Sequence, residues 1–175
     1  ERMGEEQKYI YYATGQSLGK IEALPQMEKL RDIGYEVLYL TESVDEFVMQ
    51  ILVNEAGKEF RSINGNEDLG INNEEEKQEI EKERKNNQEL TDFIKNTLGD
   101  KIKEVRVSDK LSRHPVCMTA GGPMSFEMEK YMKALGEESQ MKAERVLEIN
   151  PEHSALKALR DNIKTDENKA KKYAE

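Results

Sequence analysis

The sequence contains no tryptophan, a single cysteine and few aromatic residues, which make up 6% of the chain. The lone Cys117 excludes an internal disulfide and a thiolate metal cluster. No apolar run approaches the roughly 20 residues that span a bilayer, and no signal peptide opens the chain. We therefore expect a soluble, cytoplasmic protein with no membrane partner. Acidic residues outnumber lysine and arginine, 36 to 27, so no binding of nucleic acid is expected, because phosphate binding needs clustered positive charge.

What the chain does contain is charge, at 36% of its 175 residues, and apolar residues that fall in periodic clusters. A chain of this length predicts one domain or two small ones. Because the apolar clusters are separated by highly charged stretches, the pattern predicts folded modules joined by a solvated segment.

The first third of the chain has the pattern of a small βαβ unit. Tyr9–Thr14 is β-branched and aromatic, which predicts a strand. Ser17–Ile33 has helical spacing interrupted by Pro25, which predicts two short helices or one kinked helix. Tyr35–Leu40 is nearly continuous in apolar residues and is expected to be a strand buried on both faces.

Two further elements and a boundary complete this module. Ser43–Glu46 has the form of a capping box and opens a helix that includes Phe47. A turn then leads to a short strand at Phe60–Ile63, and the Gly- and Asn-rich stretch from Asn64 to Asn73 predicts a domain boundary.

The second module begins with Glu74–Lys85, an almost wholly charged stretch that predicts the solvated half of a long helix. Three strands and further helices follow, and Asn150-Pro151 has the form of a helix start. The predicted fold class is therefore α/β followed by α+β. A small βαβ-type subdomain occupies residues 1–66, and in residues 67–175 a long helix leads into a three-stranded sheet with packed helices.

One predicted helix, after a Gly-Gly-Pro break, carries a stripe of mainly methionine and tyrosine. Its members recur at i, i+4, i+7, i+8 and i+11 and are Met124, Met128, Tyr131, Met132 and Leu135. Spacing alone favours a core face, because amphipathic helices normally bury their stripe. The adaptable thioether of methionine and the polar tip of tyrosine favour a binding face instead. The residues leave both interpretations open.

The candidates for catalysis are weak. Gly15–Lys20 follows a strand and opens a helix, but it is one residue too short for a P-loop and lacks the hydroxyl that binds magnesium. His114 and His153 have no metal ligands at suitable spacing, and Cys117 lies in an apolar strand pattern without a visible base. The sequence predicts no catalytic, metal-binding or cofactor-binding residue.

Six stretches of the sequence, in the same order, resemble the C-terminal part of the heat-shock protein 90 chaperone family, most closely its bacterial form. They are Ile10–Gly15, Tyr35–Thr41, Val44–Phe47, Arg113–Cys117, Met124-Ser125 with Met128-Glu129, and Leu147–His153.

This resemblance implies a position within a larger protein. Residues 1–66 are similar to the last subdomain of the family's middle domain. Residues 67–175 are similar to its C-terminal dimerisation domain without the final helices, so we expect a weak or absent dimer. In the family, ATP and magnesium bind at an N-terminal domain. The resemblance therefore implies no ATPase activity and no cofactor in this chain.

The resemblance also implies a function, the binding of unfolded or partly folded client proteins to assist their folding. The implied client-binding residues are Phe47, Gln50, Met124, Met128, Tyr131, Met132 and Leu135. Two alternatives remain. One is a structural dimerisation or scaffold module in which the methionine stripe is core. The other, less favoured, is a nucleotide-binding enzyme domain built on the loop Gly15–Lys20.

Overall fold

A computed structural model of the chain describes residues 3–4, 6–42, 44–136 and 142–175. Within these residues it contains seven strands, β1 to β7, which are Tyr9–Thr14, Val37–Leu40, Asn54–Glu55, Lys58–Ser62, Glu104–Val107, Val116–Gly121 and Glu144–Ile149. The α-helices of the same residues, α1 to α8, are Leu18–Glu22, Glu28–Asp32, Asp45–Leu52, Glu74–Asn86, Gln88–Leu98, Phe126–Ala134, Ser154–Thr165 and Glu167–Ala174. The predicted mixture of helix and sheet is therefore confirmed.

The contacts divide the chain into two compact units that do not follow the sequence linearly. Unit 1 contains Glu1–Ile71 and Ala120–Glu144, and unit 2 contains Asn72–Thr119 and Arg145–Glu175. A division at residue 66 assigns α6 to the second module, whereas the contacts group α6 with the first. The backbone of Ala120 explains this grouping, because its N–H donates to the Asn64 carbonyl and its carbonyl accepts from the N–H of Asn66.

Unit 1 is built on a four-stranded sheet of order β2-β1-β4-β3. The central strand β1 is parallel to both β2 and β4, and β3 forms a short antiparallel hairpin with β4. The predicted βαβ unit is thus present, with the two short helices on either side of Pro25. Its core contains Tyr11, Ala13, Ile21, Met27, Leu30, Ile63 and Leu69.

The expectation that the second strand is buried on both faces was wrong. Strand β2 lies at the edge of the sheet, and Leu38 on it is 47% exposed. An edge strand has a neighbour on one side only, and the sequence of a single strand does not give its position in the sheet. The predicted cap Ser43 lies outside the described residues. At the start of α3 the backbone N–H of Glu42 donates to the Asp45 carboxylate at 2.9 Å.

Unit 2 packs helices α4, α5, α7 and α8 with a three-stranded sheet of order β5-β7-β6. Helix α4 buries no side chain, as its charge pattern predicts, and α5 provides the packing face after a break at Asn87. Strands β5 and β7 are parallel. The N–H of Asn150 donates to the Pro115 carbonyl and the Thr119 hydroxyl lies 3.5 Å from the Val146 carbonyl, so β6 runs antiparallel to β7.

The predicted helix start at Asn150-Pro151 was wrong by several residues. Helix α7 begins at Ser154, and the imidazole Nδ1 of His153 accepts a hydrogen bond from the N–H of Ala155 at 3.1 Å. The side chain of Asn150 instead accepts from the N–H of Glu152, which closes a local turn. Asparagine favours both caps and turns of this kind, so the residue type alone does not separate the two.

A buried carboxylate, Glu148, lies at the centre of this second sheet. Its Oε1 is 2.6 Å from the Arg106 guanidinium and 3.7 Å from the ammonium of Lys110, and neither Glu148 nor Lys110 is exposed to solvent. The hydroxyls of Ser108 and Thr119 also donate to it, at 2.7 and 3.1 Å. Burial raises the pKa of Glu148, but the charges of Lys110 and Arg106 and the hydrogen bond from Ser108 hold it below its ordinary value.

Candidate functional site

Helix α3 places its branched aliphatic residues in water and the carboxyl group of Glu46 in the interior. At about 100° per residue, Val44, Val48, Ile51 and Leu52 fall on one side of this segment. All four are exposed, Ile51 to 82%, and we call them the α3 stripe. On the opposite side, Met49 and Glu46 are buried, with Glu46 only 5% exposed. An amphipathic helix that presents its apolar stripe to solvent indicates a surface that binds another molecule.

The buried side of α3 is fixed to the sheet of unit 1. The hydroxyl of Thr14, at the end of β1, donates a hydrogen bond to the Glu46 carboxyl. Burial raises the pKa of Glu46 above its ordinary value, against hydrogen bonds from Thr14 and Ser125 that lower it. Since a buried polar group needs partners, this bond helps to hold the Glu46 side of α3 inward.

Helix α6 carries the methionine stripe and is anchored at its N-terminus and on its inner side. The hydroxyl of Ser125 caps the helix and accepts from the N–H of Met128 at 3.1 Å. The carboxylate of Glu129 is buried, accepts from the N–H of Ala143 at 3.1 Å and pairs with Lys133 at 2.5 Å. These bonds hold one side of α6 inward and leave the end near Leu135 in solvent.

Helices α3 and α6 touch through the side chains that the family resemblance singles out. The rings of Phe47 and Tyr131 meet edge to face, with centroids 5.5 Å apart. The amide of Gln50 donates to the Pro123 carbonyl at 3.2 Å and lies 3.2 Å from the sulfur of Met128. The structure therefore brings Phe47, Gln50, Met128 and Tyr131 together.

The exposure of these predicted residues is uneven. Met128 is only 9% exposed, so the core interpretation holds for that residue. Phe47, Met124, Tyr131 and Met132 are half-buried, whereas Gln50 is exposed. Leu135 is 59% exposed. The methionine stripe is therefore partly core and partly surface.

The sequence predicts a helix through Phe47, Val48, Ile51 and Leu52, but it gives no indication that the α3 stripe is exposed. Its residues recur at i, i+4, i+7 and i+8, a spacing as clear as that of the methionine stripe. An apolar stripe on a helix normally packs in the core. In α3 the stripe is exposed, and Glu46 and Met49 on the other side are buried.

The loop that resembles a P-loop has a packing explanation. A Cβ atom at Gly15 would lie 2.8 Å from Cγ1 of Ile21, so the glycine is required by the close approach of that side chain. The side chain of Ser17 accepts from the N–H of Lys20, as expected for the cap of α1. Gly15–Lys20 is therefore a turn from a strand to a helix.

Other candidate chemistries receive no support from the described residues. Cys117 is buried, and burial, together with the nearby Glu148 charge, raises the pKa of its thiol. The described part of the chain contains no group of three or more His, Cys, Asp or Glu side chains that could hold a metal ion. No helix within it is long and apolar enough to cross a membrane.

Comparison with known proteins gives one consistent result. The family model described as "Hsp90 protein" matches residues 1–175. The chain is 47% identical over 173 residues to the chaperone protein HtpG of Clostridium acetobutylicum, and 46% identical over 172 residues to that of Bacillus subtilis. It is 47% identical over 171 residues to HtpG of Oceanobacillus iheyensis. These alignments cover 98–99% of this chain and 27% of each relative.

The prediction that this chain is not an enzyme and takes no cofactor is overturned by the family match. The Hsp90 model covers residues 1–175, so the whole chain matches the family. ATP and magnesium are the ligands that the resemblance implies for that family. The HtpG relatives align over nearly the whole chain in the same way. The predictions of no enzyme activity and of no cofactor are therefore both withdrawn.

The family model matches every residue of this chain, and the relatives are 46–47% identical to it. A few shared local patterns would not give a match of this extent. The chain spans about a quarter of the length of the relatives that it matches. The chain belongs to the heat-shock protein 90 family.

Proposed function

We propose that the α3 stripe and the exposed part of α6 bind apolar segments of unfolded or partly folded proteins, and that the chain assists folding in this way. The observation that carries the proposal is the outward orientation of Val48, Ile51 and Leu52 on α3. Full burial of one such side chain contributes about 1.5–3 kcal/mol, so the stripe holds unused binding energy.

The neighbouring α6 surface extends this site with side chains of another kind. Met124 and Met132 are half-buried and unbranched, so they can repack against client segments of different shape. Leu135 adds an exposed aliphatic group at the end of α6. A surface of this composition favours modest affinity and a broad range of partners.

The direct test is binding of a permanently unfolded polypeptide by this chain. A fluorescently labelled protein that is reduced and carboxymethylated would be titrated with the chain and followed by anisotropy. We expect saturable binding of the unfolded form and none of the same protein in its native, disulfide-bonded form. Equal binding of both forms, or of neither, would contradict the proposal.

The scaffold alternative is favoured by one observation, the burial of Met128. We expect Met128→Ala to lower the free energy of unfolding by about 2–5 kcal/mol, as for other large-to-small core substitutions. Met132→Ala, at a half-buried position, is expected to have a clearly smaller effect. Urea denaturation of both variants, followed by circular dichroism, measures the difference. Client affinity that falls only in parallel with stability would favour the scaffold.

We further infer that residues 1–66 correspond to the end of the family's middle domain and residues 67–175 to its C-terminal domain, acting in the cytoplasm. Self-association of this chain is expected to be weak. Sedimentation equilibrium at micromolar concentration should give a monomer or a dissociating dimer, and a tight dimer would refute the expectation.

A further inference from the structure

A cleft is lined on one side by Glu46 and Gln50 of α3. All the residues that line it belong to unit 1. Its volume is about 230 Å³. Pockets for drug-sized ligands have volumes of about 300–1,000 Å³, so this cleft fits a single side chain better than a cofactor. Tyr12, Phe60 and Glu46 are among the residues that line it.

Two other buried glutamates of the chain have a basic partner. Glu148 is paired with Lys110 and Arg106, and Glu129 is paired with Lys133. Within the described residues no lysine or arginine pairs with Glu46, whose hydrogen-bond donors are the hydroxyls of Thr14 and Ser125. A carboxylate has about four acceptor positions, so two hydroxyl donors leave room for a further donor.

The residues that line the cleft also provide no positive charge for Glu46. Of the described residues, none that lines the cleft is a lysine or arginine. Glu67, at the rim, already pairs with Arg61 at 3.1 Å, which leaves Glu46 as the acid available to a ligand. Because the described residues form no metal-binding group here, an organic cation is favoured over a metal ion. The lining also includes Tyr12 and Phe60, aromatic residues of the kind that attract organic cations.

We propose that this cleft receives the cationic side chain of a lysine or arginine from a client segment whose apolar residues lie on the α3 stripe. This inference rests on the proposed client binding and adds a preference to it. The cleft and the stripe lie on different sides of α3. A helix is about 10 Å across and an extended segment advances about 3.3 Å per residue, so a few residues that cross α3 can join the two. The net charge of −9 also attracts positively charged client segments.

The test uses three synthetic peptides that share one apolar sequence and differ at one position, which holds lysine, acetyl-lysine or norleucine. We expect the lysine peptide to bind this chain about tenfold more tightly than the other two, the gain of a hydrogen bond to a charged group. Glu46→Gln, whose amide oxygen can still accept from the Thr14 hydroxyl, should abolish this preference. The matched control is Glu55→Gln, which removes the same charge from an exposed position and should keep the preference.

The outcomes separate the two proposals. Equal affinity of the unmodified chain for the lysine and acetyl-lysine peptides overturns the cleft assignment, and this result does not depend on any variant folding. A lysine preference that survives Glu46→Gln also overturns it. Failure of all three peptides to bind would instead reject client binding by the α3 stripe.

Discussion

Substitution of Ile51 by serine is expected to weaken the binding of an unfolded polypeptide by about 10- to 100-fold, because this range corresponds to about 1.5–3 kcal/mol for burying one aliphatic side chain. Ile51 is 82% exposed in the free chain, so it contributes little to folding. The free energy of unfolding should therefore stay close to that of the unmodified chain. Anisotropy titration and urea denaturation on the same samples measure the two quantities.

The matched control for Ile51 is Leu18→Ser. Leu18 is also a large exposed aliphatic residue of unit 1, at 58%, but it lies on α1 and outside the α3 stripe. We expect this variant to bind the unfolded polypeptide normally. If both variants weaken binding equally, the effect reflects general surface hydrophobicity, and the stripe has no special role.

The second large effect concerns stability and the buried cluster around Glu148. We expect Glu148→Ala to lower the free energy of unfolding by about 3–5 kcal/mol, the cost of removing one partner from a buried ion pair. The substitution removes the acceptor of Ser108 and the carboxylate that faces Lys110 and Arg106. The control is Glu152→Ala, which breaks the exposed pair with Lys157 and should leave the urea midpoint unchanged.

The same cluster predicts a pH dependence with a definite sign. Because the folded pKa of Glu148 is lowered, its carboxylate stabilises the folded state above the ordinary glutamate pKa of 4.5. This contribution is lost as the pH falls through the folded value. The stability difference between the unmodified chain and Glu148→Ala should therefore shrink on acidification, in urea titrations at a series of pH values. A difference that stays constant to low pH would mean that the charge of Glu148 is unimportant.

Much of the fold could be predicted from local patterns. The β-branched and aromatic run at Tyr9–Thr14 gives β1, the interruption at Pro25 gives two short helices, and the spacing after the double glycine gives α6. These features depend on backbone preferences and periodicity over a few residues, which the sequence states directly.

Which side of each helix faces inward was decided only by the tertiary structure. The periodicity of α3 is clear, yet its aliphatic side lies in solvent, and Thr14, more than 30 residues away, provides a partner for the buried Glu46 on the other side. The same holds for α6, where Met128 is buried against Gln50 while Leu135 on the same stripe is exposed.

The sequence by itself determined the family, the type and order of most of the elements, and the apolar spacing, because these depend on residue types and their order. The tertiary structure alone decided the cleft at Glu46, since its walls come from β1, α3, β4 and the segment before α6. Residues so far apart in the chain become neighbours only when the sheet and helices pack. The environment of a carboxyl group depends on those neighbours and not on the residues beside it in sequence.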